Sequence, residues 1–332
     1  MMTHHVEAPA LTGQDALGFL AALGLLSLLS SHHPGAVQLS FHGSRETAEI
    51  HSPLPDLDAI AQELADIVAA TDKDAVIAGA APGFPLRAGK GKDPMRQPRH
   101  GYRKLAADLA LIDPQATSRW LPHLFTDLAV DKSGRAALTP LAAPRAKQNV
   151  RSFFGKSQDL VRNQPALIRE ALSGWRRVEG VTGEYLDHRV LNSPADHPRG
   201  AKSAERGVPG ATWLATMALP LLRLTGDGQH VQATLWHRHG QRHIMIWPLW
   251  QRPLDAHAVQ VLLEHPTLKP AAPGLGVRST DWSQLGIFAV HAAERERLPD
   301  TDKFAGVLAP LRVGVIPWGS TPDKPGQGRT DK

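Results

Sequence analysis

Cysteine is absent from the 332 residues of the sequence. Its absence excludes disulfide bonds, thiolate zinc sites, iron–sulfur clusters and cysteine nucleophiles. A chain without disulfides suits a reducing compartment. We therefore expect the protein to be cytoplasmic.

Apolar runs long enough to cross a membrane are also absent. The longest run, residues 16–29, covers 14 residues, whereas a membrane-spanning helix needs about 20. No Lys or Arg precedes this run, but Glu7 and Asp15 do. Because a secretory signal needs a positively charged start, we expect neither a signal peptide nor membrane contact.

No catalytic motif is recognisable either. The nucleophile elbow Gly-x-Ser-x-Gly does not occur in the sequence. Residues 89–92, Gly-Lys-Gly-Lys, match a phosphate-binding loop only superficially, because Asp93 and Pro94 follow where that loop requires Ser or Thr. We predict that the protein is not an enzyme and needs no cofactor.

The most distinctive segment that is present covers residues 12–29. From Ala16 onward it is apolar apart from a single serine, and a helix without a polar face must be buried on all sides. Gly18 and Gly24 lie inside it, although each costs about 1 kcal/mol relative to Ala in a helix interior. We therefore predict that another backbone lies too close at both positions for a Cβ atom.

The patterns downstream predict an α+β fold. Residues 37–42 and 47–51 alternate apolar and polar side chains, as in a β-hairpin, and residues 57–70 place their apolar side chains on one helical face. A helical middle and a strand-rich last third follow. Further helices are predicted at residues 103–112, 115–128, 159–175 and 211–222, and strands at 231–236, 244–250, 285–291 and 307–315.

These patterns also predict two domains and a tail. Residues 1–145 form an N-terminal α+β domain with a basic loop at 79–104. Residues 146–316 form a helical and then strand-rich domain, and residues 317–332 form a disordered tail. At the start of the buried helix, we expect Thr12 or Asp15 to cap free backbone N–H groups.

Charge is distributed unevenly along the chain. Residues 1–86 hold 2 basic and 10 acidic residues, whereas residues 87–332 hold 35 basic and 22 acidic residues. This difference favours a polyanionic partner for the later region. The alternative is that arginine is simply frequent in a composition rich in Ala, Gly, Arg and Pro.

Residues 87–104 concentrate the positive charge, with seven basic residues against the single acid Asp93. Lys and Arg on a Gly- and Pro-rich loop can pair with successive phosphates and release counterions, and Tyr102 can stack on a base. The alternative is a solvated loop that binds no ligand. The candidate nucleic-acid-binding residues here and downstream are Arg87, Lys90, Lys92, Arg96, Arg99, Arg103, Lys104, Arg151, Lys156 and Arg162.

Aromatic residues in the second half have two interpretations. Phe153 and Phe154 lie among basic residues and can form a stacking platform, or they can enter the core. A cluster of tryptophans suits either the core or a subunit interface, which leaves a structural adaptor open as an alternative function. These tryptophans are Trp213, Trp236, Trp247, Trp250, Trp282 and Trp318.

Histidines suggest another alternative, a metal-dependent hydrolase or nuclease. On the predicted second hairpin, His237 and His239 share a strand face and His243 can return opposite them, so that three imidazoles could form an open zinc site. Neighbouring arginines repel a cation there and no carboxylate supports the imidazoles. Asp187-His188 resembles a metal-binding pair but lacks further ligands. We therefore predict no metal, with His188 and the hairpin histidines as the alternative.

Residues 13–26, Gly-Gln-Asp-Ala-Leu-Gly-Phe-Leu-Ala-Ala-Leu-Gly-Leu-Leu, resemble the N-terminal signature of CRISPR-associated proteins of the type I-G (formerly I-U) group. Residues 210–221, 247–250 and 285–290 are also similar to members of that group. The resemblance implies a non-catalytic, large-subunit-like component of an RNA-guided effector complex in antiviral defence. It implies other effector subunits and guide RNA or target DNA as partners. In such complexes base pairing reads the sequence, while protein contacts the backbone.

Overall fold

The structure is a computed structural model. It describes residues 3–88, 93–142, 149–190, 205–239, 242–265, 268, 277–279, 282, 284–296, 306–312 and 315–317. Within these ranges helices and antiparallel strands are mixed, which confirms the predicted α+β class. The helices are α1 Ala16–His32, α2 Leu57–Ala70, α3 Tyr102–Ile112, α4 Pro114–Leu124, α5 Val150–Asn163, α6 Ala166–Ser173, α7 Pro209–Thr216 and α8 Ala256–Leu263.

The strands form two main antiparallel sheets and several short pairs. The order is β1-β3-β2 in the first sheet and β10-β11-β13-β14 in the second, and the short pairs are β4-β5, β6-β7, β8-β9 and the parallel β12-β15. The strands are β1 His4–Thr12, β2 Gln38–His42, β3 Thr47–Ser52, β4 Phe125–Val130, β5 Ala136–Leu138, β6 Val178–Glu179, β7 Arg206–Gly207, β8 Leu224–Gly226, β9 Val231–Ala233, β10 Trp236–His239, β11 Arg242–Trp250, β12 Val277–Ser279, β13 Ile287–Glu296, β14 Val307–Leu311 and β15 Val315–Pro317.

Helix α1 is the centre of the core. Every residue from Ala16 to Leu29 is buried, as predicted from its uniformly apolar sequence. A Cβ atom added to Gly24 would lie 1.7 Å from the carbonyl oxygen of Leu214 in α7, and one added to Gly18 would lie 2.2 Å from the carbonyl oxygen of Thr12. The predicted close approach of other backbone at both glycines is therefore confirmed.

The start of α1 differs from the prediction. Asp15 is the N-cap residue, but its carboxylate accepts no backbone N–H group of the first turn. It accepts a hydrogen bond at 2.9 Å from the Arg189 guanidinium instead. Asp15 therefore links the start of α1 to the segment that contains Arg189. A hydrogen bond between two charged groups is stronger than one to a neutral backbone N–H.

The tryptophans of the second sheet and of α7 belong to the core. Trp213, Trp247 and Trp250 are fully buried. The indole of Trp247 donates to the Gly13 carbonyl and that of Trp250 to the Leu39 carbonyl, both at 2.7 Å. Trp247 and Trp250 therefore join the second sheet to the N-terminal part of the chain, whereas Trp213 on α7 donates to Oε1 of Gln158 on α5 at 2.6 Å. None of the three side chains is available as an anchor for another subunit.

Several predicted boundaries differ from the structure, including that of the helix predicted at 211–222, which ends at Thr216. The helix predicted at 115–128 ends at Leu124, because residues 125–130 pair as β4 with β5. The helix predicted at 159–175 begins earlier, at Val150, and is broken at Gln164, since a residue before proline is pushed out of the helical region. By contrast, the first hairpin and α2 lie where they were predicted.

Strand β1 was not predicted from the sequence. It contains Pro9, which lacks a backbone N–H group and is tolerated only at edges and irregularities of sheets. Both conditions hold, because β1 is an edge strand and its pairing with β3 shifts between Ala8 and Thr12. This strand brings His5 next to His51 of β3.

One buried apolar cluster includes side chains from both sides of the predicted domain boundary at 145/146. The boundary itself stays a prediction.

Of the predicted tail, residues 318–332 lie outside the described residues. Among the helices that the structure describes, none combines the length and apolar character that a membrane crossing requires.

Candidate nucleic-acid interface

Eight of the ten predicted nucleic-acid-binding residues lie in the described part of the chain, and Lys90 and Lys92 lie outside it. The eight do not form one surface. They divide into residues that bind backbone carbonyls, residues that pair with acids, and residues that project into solvent.

Arg151 and Arg162 on α5 bind backbone carbonyls. The Arg151 guanidinium donates to the carbonyls of Pro82 and Pro85 at 2.8 Å, and also to that of Asp74. Burial lowers the pKa of Arg151, and the nearby Arg87 charge lowers it further. Both α5 arginines hold the segment after α2 against α5, so their donors are already used inside the fold.

Arg162 makes the same kind of contact about three helical turns later in α5. It donates to the carbonyls of Asp72, Lys73 and Ala75 at 2.9–3.1 Å and to the Asp159 carboxylate at 3.2 Å. Each guanidinium therefore donates to three loop carbonyls, of which that of Asp72 also accepts from the backbone N–H of Ala75. Such multiple charge-assisted hydrogen bonds fix loop geometry.

Arg96 belongs to a small ion cluster. Its guanidinium lies 3.3 Å from the Asp131 carboxylate, which also binds Arg135 at 2.8 Å. Burial lowers the pKa of Arg96, and the Arg135 charge lowers it further. Burial also opposes ionisation of Asp131, but hydrogen bonds from Arg135 and Ser133 outweigh it and lower that pKa. One carboxylate thus serves two cations, and positive charge is left over.

Arg99 and Arg103 project into solvent. Arg99 lies in a 3₁₀ turn that leads directly into α3, and its backbone N–H donates to the Gly134 carbonyl at 3.2 Å. Among the described residues, neither side chain has a hydrogen-bonding or ionic partner, and the same is true of the exposed Lys132. Arg99 in the turn and Arg103 in α3 lie four residues apart.

The turn at residues 131–135 lies beside the 3₁₀ turn at residues 99–101, since Pro98 forms a β-bridge with Arg135. The two turns together carry a cationic surface that we call the basic ridge. Lys104 adds to it and pairs with Asp108 at 3.1 Å on the exposed side of α3. The basic ridge consists of Arg96, Arg99, Arg103, Lys104, Lys132 and Arg135.

Tyr102 does not occupy the base-stacking role suggested by its sequence position. Its ring packs against the core and its hydroxyl donates to the Phe125 carbonyl at 3.1 Å. Burial, assisted by the Asp127 charge, raises the pKa of Tyr102 to about 12. The side chain therefore fixes the start of α3 to β4 and positions the arginines on either side of it.

Phe153 and Phe154 are both buried, at 1% and 0% exposure. Their rings contact each other edge to face with centroids 5.1 Å apart, and Phe154 also contacts Trp120. The stacking-platform interpretation is therefore wrong, and the core interpretation is confirmed for both residues. On the same helix, Lys156 is exposed and has no partner among the described residues.

Arg87 is the remaining predicted residue. Its side chain is mostly exposed and pairs with Asp74 at 3.1 Å. A pair this exposed contributes little to stability, so Arg87 stays free to exchange its partner for a phosphate. It lies directly before the undescribed residues 89–92.

The histidines of the predicted hairpin do not all lie on one face. The strands β10 and β11 pair with Arg238 opposite His243 and with His237 opposite Ile244. Directly opposed residues share a face, so His237 and His243 lie on opposite faces of the hairpin. The expectation that His243 returns to the same face is therefore wrong.

Asp187 is also committed to structure. It is buried and accepts hydrogen bonds from the guanidinium groups of Arg177 and Arg189. Although burial opposes its ionisation, these arginines and the backbone N–H of Arg189 lower its pKa. Nδ1 of its neighbour His188 lies 3.7 Å from the Asp187 carboxylate. The carboxylate oxygens of Asp187 are therefore occupied by hydrogen bonds from arginines.

A second group of titratable residues was missed from the sequence. His5, His42, Glu49 and His51 meet on one face of the first sheet. Burial lowers the pKa of His51, and although the Glu49 charge opposes this shift, the neighbouring imidazoles add to it. The period-two spacing of Glu49 and His51 was visible in the sequence, but the undetected β1 concealed the contribution of His5.

A groove of about 380 Å³ lies between α5 and residues 178–184. Lys156 lies at its rim, whereas Asp159, Glu179 and Glu184 contribute negative charge. A groove with this mixture of charges is poorly suited to a nucleic-acid backbone, which needs an excess of cations. The basic ridge is therefore the better candidate surface.

No family model matches the chain, and no curated protein matches it.

Proposed function

We propose that the protein is a non-catalytic nucleic-acid-binding subunit of an RNA-guided CRISPR effector complex. The observation that supports nucleic-acid binding is the exposure of Arg99 and Arg103, neither of which has a partner among the described residues. The resemblance of residues 13–26 to the type I-G group supports the assignment to a CRISPR effector.

The chemistry of the basic ridge fits a phosphate backbone. Its six cations are accompanied by four acids, because Asp108 and Asp131 form ion pairs within it, Asp93 acts on the charge of Arg96 and Asp127 acts on Tyr102. An excess of positive charge remains. Arginine presents a planar fork that matches two phosphate oxygens. Because Arg99 and Arg103 bind nothing else in the described fold, they lose no internal hydrogen bond when they bind phosphate.

The support around these arginines is rigid. Tyr102 lies between them in sequence and is fixed to the Phe125 carbonyl, while the Arg99 backbone is fixed to Gly134. A ligand-binding cation on an ordered element loses less conformational entropy on binding than one on a free loop. The proposal therefore assigns phosphate neutralisation to Arg99 and Arg103, assisted by Lys104 and Lys132.

The nucleic-acid role is tested with the full chain and fluorescein-labelled 30-mers, as single-stranded DNA, single-stranded RNA and duplex DNA. Anisotropy titrations between 50 and 200 mM salt give the affinity and its salt slope. We expect the double variant Arg99→Glu/Arg103→Glu to weaken binding by more than about tenfold. We expect the salt slope to become shallower by about two, since each lost phosphate contact removes about 0.9 from it on duplex.

The matched control is Arg45→Glu/Arg252→Glu. Both residues are exposed and without partners in the described part of the chain, and the double change alters net charge equally. Affinity close to wild type is expected for this control. An equal loss in both double variants would show a general charge effect and contradict the assignment of the ridge, as would an unchanged salt slope in the ridge variant.

Membership in a CRISPR effector is tested separately. Genes for effector backbone and helicase–nuclease subunits are expected beside the gene for this chain, next to a repeat array. Co-expression with those subunits should yield a complex that contains this chain and a guide RNA. Failure of the chain to enter such a complex would contradict the CRISPR assignment while leaving the nucleic-acid measurement intact.

A further inference from the structure

Three imidazoles surround one carboxylate oxygen on the first sheet. Oε1 of Glu49 lies 2.9 Å from Nε2 of His51, 3.6 Å from Nδ1 of His5 and 3.8 Å from Nε2 of His42. Among the described residues, His5, Glu49 and His51 are the one group of three such side chains whose ligand atoms all lie within 4.8 Å of one another.

The strand register creates this arrangement. His5 on the edge strand β1 is directly opposite His51 on β3, and Glu49 lies two residues before His51 on the same face. On the other side of β3, Thr47 is opposite His42 of β2, which places His42 on that face as well. All four side chains therefore project from one face of three hydrogen-bonded strands.

The surroundings provide both support and access. The side chain of His51 is 5% exposed and that of Glu49 is 27% exposed, whereas those of His42 and His5 are 43% and 61% exposed. The buried Ser40 hydroxyl lies below the imidazoles, at 2.9 Å from His51 and 2.8 Å from His42. One side of the cluster is thus fixed in the sheet and the other is open to solvent.

We propose that His5, Glu49 and His51 bind one divalent transition-metal ion, and that zinc fits this donor set best. Tetrahedral zinc with bonds of about 2.0–2.2 Å requires neighbouring ligand atoms about 3.4 Å apart. The distances from Glu49 Oε1 to His51 Nε2 and to His5 Nδ1, 2.9 and 3.6 Å, lie on both sides of that value, and all three ligand atoms lie within 4.8 Å of one another. Imidazole and carboxylate donors without thiolates suit zinc, cobalt and nickel rather than magnesium or calcium.

The site would act on the fold rather than on a substrate. An ion held by His5, Glu49 and His51 would cross-link β1 to β3, and β1 is an edge strand that pairs with β3. This role does not depend on the basic ridge, whose residues belong to other elements. The competing arrangement is a metal-free hydrogen-bonded cluster through Ser40 and Glu49.

The experiment uses the full chain without a histidine tag, treated with EDTA and then desalted. Titration with Co²⁺ is expected to give visible absorption that saturates at one equivalent and disappears when Zn²⁺ is added. Zinc should also raise the melting midpoint by about 3 °C or more, because it binds the folded state. The absence of cobalt absorption together with an unchanged midpoint would overturn the proposal.

Two substitutions locate the site. His5→Ala removes a ligand at an exposed position and is expected to reduce cobalt affinity more than about 100-fold, since even outer-shell partners contribute 10–100-fold. His4→Ala is the matched control, because His4 is the neighbouring histidine on the opposite face of β1, and it should bind cobalt as wild type does. Binding that survives His5→Ala, or that both variants lose equally, would place the ion elsewhere and contradict the proposal.

Discussion

Helix α1 contacts the fold on every side, whereas the basic ridge contacts it on one side and faces solvent on the other. In α1 all residues from Ala16 to Leu29 are buried, and at Gly24 the neighbouring backbone is in direct contact. In the ridge, Arg99 and Arg103 are exposed. A substitution in α1 should therefore change stability, and one in the ridge should change ligand binding.

Arg151 and Arg162 show that a basic residue can belong to the packed interior contacts as well as to an exposed surface. Their sequence neighbourhood resembles that of the ridge, yet their donors satisfy six backbone carbonyls inside the fold. Positive charge alone therefore does not identify a ligand-binding residue. What distinguishes the two groups is whether loop carbonyls lie within reach of the guanidinium.

The largest effect is expected for Gly24→Ala. By intrinsic propensity alone this change would stabilise a helix by about 1 kcal/mol, but a Cβ 1.7 Å from the Leu214 carbonyl oxygen must displace α7. We expect unfolding free energy to fall by about 3 kcal/mol in urea denaturation. The control Gly174→Ala, with open space around its Cβ position, should stay close to wild type, and equal behaviour of the two variants would contradict the close packing.

The next largest effect is expected for Arg162→Ala. Removal of the guanidinium leaves the carbonyls of Asp72, Lys73 and Ala75 without this donor, which should lower unfolding free energy by about 2 kcal/mol. Lys156→Ala on the exposed side of the same helix should change it by less than about 0.5 kcal/mol. If Arg162→Ala instead weakened DNA binding and left stability unchanged, Arg162 would belong with the ridge residues.

An effect of similar size, but dependent on pH, is expected for Asp187. Its folded-state pKa is lowered, since hydrogen bonds and charges from Arg177 and Arg189 outweigh burial. This contribution to stability is therefore complete above the unfolded value, about 3.9, and is lost as pH falls through the lower folded value. Asp187→Asn should lose stability by about 2 kcal/mol at pH 7, and its difference from wild type should shrink below pH 4. A difference that is constant with pH would contradict ionisation of Asp187.

The smallest effect on stability is expected for Lys104→Ala. Lys104 pairs with Asp108 on an exposed helix face, so unfolding free energy should stay within about 0.5 kcal/mol of wild type. Its salt slope for duplex DNA should nevertheless become shallower by about one if Lys104 contacts a phosphate. An unchanged slope would confine the ridge surface to the remaining cations.

The sequence predicted the parts of the fold that depend on local composition. A helix with no polar face has one physical solution, burial, so α1 and its close-packed glycines could be inferred without knowing their partners. Strand β1 could not, because Pro9 argues against a strand unless the sheet edge and the irregular pairing are already known.

The candidate sites were predictable only in part. Residue type and exposure of a loop identified Arg99 and Arg103, but carbonyls located about 70–90 residues earlier decide the role of Arg151 and Arg162. The histidine cluster depends on the register of β1 with β3, which joins residues 5 and 51. Such long-range pairings are set by packing of the whole sheet and leave no local pattern in the sequence.

The contact between Gly24 and Leu214 also constrains how the protein is made. These residues are about 190 positions apart, and a ribosome that adds 5–20 residues per second needs roughly 10–40 s to synthesise that interval. During this time α1, the most apolar of the described helices, has no α7 to pack against. The apolar surface of α1 must therefore be protected from aggregation until α7 has been synthesised. We expect the yield of soluble protein to depend on the supply of chaperones and to increase at lower expression temperature.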